Sequence, residues 1–210
     1  MRGAFRVWEP PRWSLDRGAP AGEPVTVAQL KAHLRVDHAD EDAALAGYLA
    51  AAREAVERMT GRALAARTMV WRISNFPPGE RDELALPGGR TISVTSVVYD
   101  DVDGVSRTWA SEGYEVDLLA EPARLRLAYD GEWPDVRDWA LPVAITYLAG
   151  YAAAGDDLGA NVPAQAKAAI LLMAAELYAR REMAVVGAPV AEAPLSVERL
   201  LVGLRVQRVA

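Results

Sequence analysis

Apolar residues in this chain repeat with a helical period from about residue 26 to 60, alternate from about 68 to 149, and return to helical spacing after Pro163. Recurrence at steps of three and four lines one face of a helix, whereas strict alternation lines one face of a strand. The chain must therefore build helices toward both ends and strands between them.

Thr26 with Gln29 three residues on has the spacing of a capping box, and Leu30 and Leu34 follow on one face, which predicts a short helix. The acidic turn Asp37 to Asp42 is placed to cap the next helix. There Leu45, Leu49, Ala52, Val56 and Met59 form an apolar stripe, and Arg53, Glu54, Glu57 and Arg58 are expected on the solvated face. Gly61 stands where a C-terminal cap belongs. Residues 68–73, 91–99, 114–117, 124–127 and 143–147 read as strands. Turn chemistry separates them at Pro77-Pro78-Gly79, Pro87-Gly88-Gly89, Asp103-Gly104 and Asp130-Gly131. This spacing suits an antiparallel meander or a small barrel. After Pro163, Ala166, Ile170, Met173, Ala174, Leu177 and Tyr178 predict a helix ending near Arg181-Glu182-Met183, and a short amphipathic segment runs from Leu195 to Val206.

These periods divide the chain into an extended, proline-rich arm (1–24), N-terminal helices (25–66), a β-rich insertion (67–150), a C-terminal helix (161–184), and a linker with a terminal tail (185–210). The expected fold class is α+β. Its core is a helical bundle made of the N-terminal helices and a long C-terminal helix, with an inserted antiparallel, barrel-like β subdomain and an extended C-terminal segment. Trp8 and Trp13 stand out in the arm. They either fix it to the subunit's own surface or anchor it on a neighbour.

Few catalytic chemistries are open to this sequence. It has no cysteine, which excludes disulfides, thiolate metal sites and cysteine nucleophiles. His33 and His38 are five apart and fall on different faces of any helix. Asp101-Val-Asp103-Gly104 begins like a calcium loop but lacks the further ligands and the closing glutamate, so it reads as a hairpin turn. No phosphate-binding glycine loop or nucleophile elbow is present. The Asp37, Asp40, Glu41 and Asp42 carboxylates remain open to a metal-dependent hydrolase or nuclease, although a helix start also accounts for them. A net charge of −6 leaves no basic excess for a broad DNA footprint. No apolar run approaches a membrane span, and the chain reads as cytoplasmic at synthesis.

Three stretches are similar to the head-tail connector (adaptor, head-completion) proteins of tailed phages and gene transfer agents. The first is Glu23-Pro24 through Asp37, with Asp40-Glu41-Asp42, Ala51-Ala52-Arg53 and Glu57 to Leu64. The second comprises Leu86-Pro87, Ser96-Val97, Tyr99-Asp100, Asp103-Gly104, Trp133-Pro134 and Val143 to Tyr151. The third comprises Val162-Pro163, Lys167, Ala169 to Leu172, Leu177-Tyr178, Arg181-Glu182 and Leu200-Leu201 with Arg205. The resemblance implies a structural subunit, not an enzyme, with no cofactor and no bound metal. Its expected setting is a homo-oligomeric ring, usually a dodecamer, at the head-tail interface of a virion or phage-like particle, after assembly in the host cytoplasm. The ring would join the portal protein to stopper or tail proteins and let DNA through its channel unread. A stopper or tail-completion role is the alternative. Portal binding is expected at Leu195, Val197, Leu200, Leu201, Leu204 and Arg205, and subunit contacts at Trp8, Trp13, Arg181 and Glu182.

Overall fold

Thr26 makes the capping box that its spacing to Gln29 predicts: its Oγ1 accepts from the Gln29 N–H (3.2 Å), and its own N–H donates to Gln29 Oε1 (2.9 Å). Helix α1 (Val27–Leu34) starts there and stops at Arg35, whose left-handed backbone closes the last turn. Helix α2 (Asp42–Thr60) ends as read, at Gly61, with φ 71° and its N–H on the Glu57 carbonyl at 2.9 Å. At its start Asp42 lies in the first turn, but no side chain caps the helix. Helix α3 covers Ala164–Ala179, and α4 covers Leu195–Leu201 with a 3-10 turn to Leu204. The computed structural model describes residues 6–151, 157–180 and 195–206.

The chain divides into two units. The helical unit takes residues 21–65 and 151–205. Its core gathers Leu30, Leu45, Leu49, Ala52, Val56 and Leu64 with Ala166, Ala169, Ile170 and Ala174 of α3 and Val197 and Leu201 of α4. The α2 stripe therefore packs as its period requires. Arg53 and Glu57, expected on the solvated face, are instead buried at 3% and 2% exposure.

The strand unit takes residues 1–20, 66–150 and 206–210. One sheet has the order β2 (Trp13–Arg17), β3 (Arg67–Ile73), β9 (Val143–Ala149), β5 (Thr91–Asp100), β6 (Ser106–Thr108) and is antiparallel throughout. Burial alternates residue by residue along β3 and β9, so Met69, Trp71, Ile73, Val143, Ile145 and Tyr147 enter the core from one face. The other sheet has the order β1 (Arg6–Trp8), β4 (Asp82–Ala85), β8 (Arg124–Leu127), β7 (Tyr114–Asp117). Phe76 lies between Tyr99 and Trp109 and stacks on Trp133, and Trp109 in turn meets Tyr114. This aromatic group joins residues of both sheets.

The expected fold class is corrected here. No helical bundle with a long C-terminal helix forms the core; the described helices have 8, 19, 16 and 7 residues beside sheets of four and five strands. Helix accounts for 30% and strand for 28%, so the sheets carry as much of the chain as the helices do. The helix expected to reach 184 closes at Arg180, whose N–H returns to the Glu176 carbonyl. The sheets are also not wholly antiparallel, because β1 runs parallel to β4. Strands β1 and β2 come from the proline-rich start of the chain. Pro10 and Pro11 fall between them, where no ladder N–H is needed.

Candidate docking surfaces

The terminal segment packs on its own helical unit. Val197 and Leu201 are fully buried in that core, and Leu204 packs against it. Arg62 Nε donates to the Leu204 carbonyl and fixes the end of the segment. Four of the six residues expected to bind the portal are therefore arranged in two sets: Val197 and Leu201 inward, Leu200 half-buried and Arg205 exposed. Leu195 begins α4. Of the expected subunit contacts, Trp13 is 50% exposed on edge strand β2 and Trp8 is half-buried in β1. Arg181 and Glu182 lie outside the described residues.

The buried charges of α2 form a connected set. Arg53 Nε donates to both Glu23 oxygens (3.1 and 2.9 Å), and its Nη1 donates to Glu57 Oε2 at 3.0 Å. Glu57 Oε1 accepts from the Leu64 N–H at 2.9 Å, which ties the helix to the chain leaving it. Burial by itself would lower the Arg53 pKa, but the negative charges of Glu23 and Glu57 outweigh it and hold the guanidinium above its usual value. The network ties the chain before α1 to α2, since both Glu23 oxygens and Glu57 Oε2 accept from Arg53. The i, i+4 spacing of Arg53 and Glu57 was a visible signal for the pair, but not for its burial.

The acidic turn does not converge on a metal. Asp42 pairs with Lys31 Nζ at 2.8 Å, Glu41 accepts from the Tyr178 hydroxyl at 2.6 Å, and Asp40 faces His38 at 3.7 Å. Among the described residues no three potential ligands group together. The Asp101 turn is a hairpin turn, as read. Asp101 Oδ1 accepts from the N–H groups of Asp103 (3.0 Å) and Val105 (2.9 Å), and Oδ2 from Arg107 Nε. The Arg107 hydrogen bond first, then that from Val105, holds the Asp101 carboxyl below its usual range. No described helix is long and apolar enough to cross a membrane.

Two exposed features of the strand unit escaped the sequence reading. The β7–β8 loop presents Leu118 at 43% and Leu119 at 99% exposure, between Asp117 and Glu121. Asp117 Oδ1 shapes this loop by accepting from the Leu119 and Ala120 N–H groups at 2.9 and 3.2 Å. Elsewhere Trp139, 61% exposed, lies under the Arg137 guanidinium at 4.9 Å from its ring centre. Arg12 Nη2 donates to the Trp139 carbonyl at 3.4 Å, and Trp13 adjoins Arg12 in sequence. The signal for the loop was a Leu-Leu pair between two alternating strands, where polar turn residues are the rule.

Residues 24–100 match the family described as Phage gp6-like head-tail connector protein. No curated protein matches the chain. Among solved structures, the chain is 27% identical to a chain in the neck of an empty gene transfer agent particle computed with C6 symmetry. That match covers 94% of this chain and 97% of the other, with a TM-score of 0.73. A chain in the virion of a native gene transfer agent particle is 27% identical over 93% and 97%, with a TM-score of 0.72. A chain in the neck of a native particle computed with C12 symmetry is 26% identical over 94% and 97%, with a TM-score of 0.70. The chain is thus similar to the phage gp6-like head-tail connector family over residues 24–100 and to gene transfer agent neck and virion chains over nearly its whole length.

Proposed function

We propose that this chain is an adaptor subunit that closes into a ring in the neck of a phage-like particle, joins the portal to the stopper or tail, and lets DNA pass through the ring. The observation that carries the proposal is the likeness, over 94% of the chain, to a chain of a particle neck computed with C12 symmetry. The net charge of −6 fits a wall past which a duplex slides, because it offers few cations to hold phosphates. A ring also makes weak docking events add through effective concentration, so each subunit needs only modest affinity for the portal.

The portal contact is proposed for the terminal segment, Leu195 to Arg205. Since Val197 and Leu201 are committed to the subunit's own core, the accessible side of the segment carries the contact. That side includes Leu200, Val202 and Arg205. Deleting the segment would remove core residues together with the contact, so the informative variants are Arg205→Glu and Val202→Asp, both at exposed positions. The test is co-sedimentation of full-length protein with its cognate portal ring. Stoichiometric binding by the parent chain, weakened in both variants with unchanged thermal stability, is the expected result. Absence of portal binding by the parent chain would overturn the adaptor reading, and binding to the stopper ring in its place would assign the chain there.

A further inference from the structure

We propose that in the assembled ring the terminal segment, Leu195 to Leu204, of one copy fills the apolar groove of the next copy's helical unit, the same groove that it fills on its own unit in the single chain. This inference rests on the ring reading above. A ring of more than two copies needs two different surfaces on each subunit that fit each other, because a single self-matching patch closes only a pair. The segment and its groove are such a pair, and the structure shows them fitted together. Helix α4 packs on α3 and α2, with Val197 and Leu201 fully buried in the cluster that holds Ala166, Ala169 and Ile170. Arg62 holds the Leu204 carbonyl at the far end. Exchange between copies keeps each of these contacts and changes only which chain supplies the segment, so it costs little in contact energy.

The chain between α3 and α4 is longer than docking within one copy requires. Residues 181–194 separate Arg180 from Leu195, fourteen in all. Packed helices are commonly joined by about 2–8 residues. Even a return along all 16 residues of α3, about 24 Å, takes only about eight extended residues. Fourteen reach about 46–50 Å. A unit of about 100 residues, such as the helical one, has a radius of gyration of about 13 Å, so the groove of an adjoining copy lies within reach. A helix of seven residues does not hold in water by itself and must be seated in one groove or the other. The rest of the helical core is shared among α1, α2 and α3, so the groove keeps its form when the segment changes copies. A ring favours the exchanged arrangement because it presents the neighbour's groove at high effective concentration. Val202 and Arg205 stay outward in both arrangements, which leaves the proposed portal contact unchanged.

The chain has no native cysteine, so a pair can be placed across this contact in the full-length protein. Arg62→Cys is combined with Gly203→Cys, where an added side chain meets open space, and with Leu204→Cys as a second pair. Each is treated with a short bismaleimide, first as dilute free chain and then as rings on the cognate portal, and resolved on a denaturing gel. The free chain is expected to link within itself and stay monomeric. The rings are expected to give a ladder of linked copies, more abundant than in the free chain by roughly tenfold or more. Deleting residues 185–190 leaves eight residues, a reach of about 26–29 Å, and should abolish the ladder without changing the Tm of the free chain. Rings in which both pairs link only within single copies would overturn the exchange while the ring reading stands. A ladder undiminished by the deletion would assign the linkage to mere proximity of neighbours and overturn it too, as would absence of any linkage in the free chain. If electron microscopy shows no rings even on the portal, the ring reading itself fails and the exchange with it.

Discussion

At the scale of single residues, stability is concentrated where charge is buried. Arg53 lies between Glu23 and Glu57 with little solvent to share, so removing it takes from buried Glu57 the guanidinium that balances its charge. Arg53→Ala is expected to cost about 3–5 kcal/mol in urea unfolding, the range for breaking one side of a buried pair. Glu54→Ala, at an exposed position beside it, is expected to cost well under 1 kcal/mol. Asp101 gives a pH signature. Its carboxyl is held below the usual range by Arg107 and the Val105 N–H, so the unfolded chain binds that proton more readily than the folded one. Its contribution is complete above the unfolded value of about 4 and is lost as pH falls through the lower folded value. Acid titration of stability should therefore be shallower below pH ~4 in Asp101→Asn than in the parent chain. An identical acid limb in both proteins would remove Asp101 from the account.

At the scale of elements, what the sequence disclosed depended on how local the signal was. The capping box at Thr26, the glycine at 61 and the strands at 114–117 and 124–127 were legible because each is set by a few neighbouring residues. Strands β1 and β2 were hidden by Pro10 and Pro11, and β4 by its acidic sequence. Asp82 of β4 is buried beside Arg6 at 3.2 Å, a partner 76 residues away that no local pattern reveals. The terminal helix shows the same limit: its apolar residues were legible as a face, but not the surface that receives them. Because Leu201 is fully buried against the helical core, Leu201→Ala is expected to cost about 2–5 kcal/mol. Val202→Ala, one residue away and 63% exposed, should be nearly neutral. Comparable losses in the two variants, measured by denaturant melts, would show that α4 does not dock as described.

At the scale of the whole molecule, interleaved parts of one chain make two units. The helical unit packs the terminal segment against itself and leaves Arg205 outward; the strand unit exposes Leu119 and Trp139. The likeness to head-tail connectors was legible from ordered residues spread between Glu23 and Arg205, whereas the balance of helix and sheet was not, since it depends on strand pairings distant in sequence. The most direct measurement of the central claim is electron microscopy of particles assembled in cells lacking this chain. The account predicts DNA-filled heads and free tails that join when purified protein is restored, with the added subunits forming a ring at the portal vertex. Complete tailed particles in its absence would contradict it.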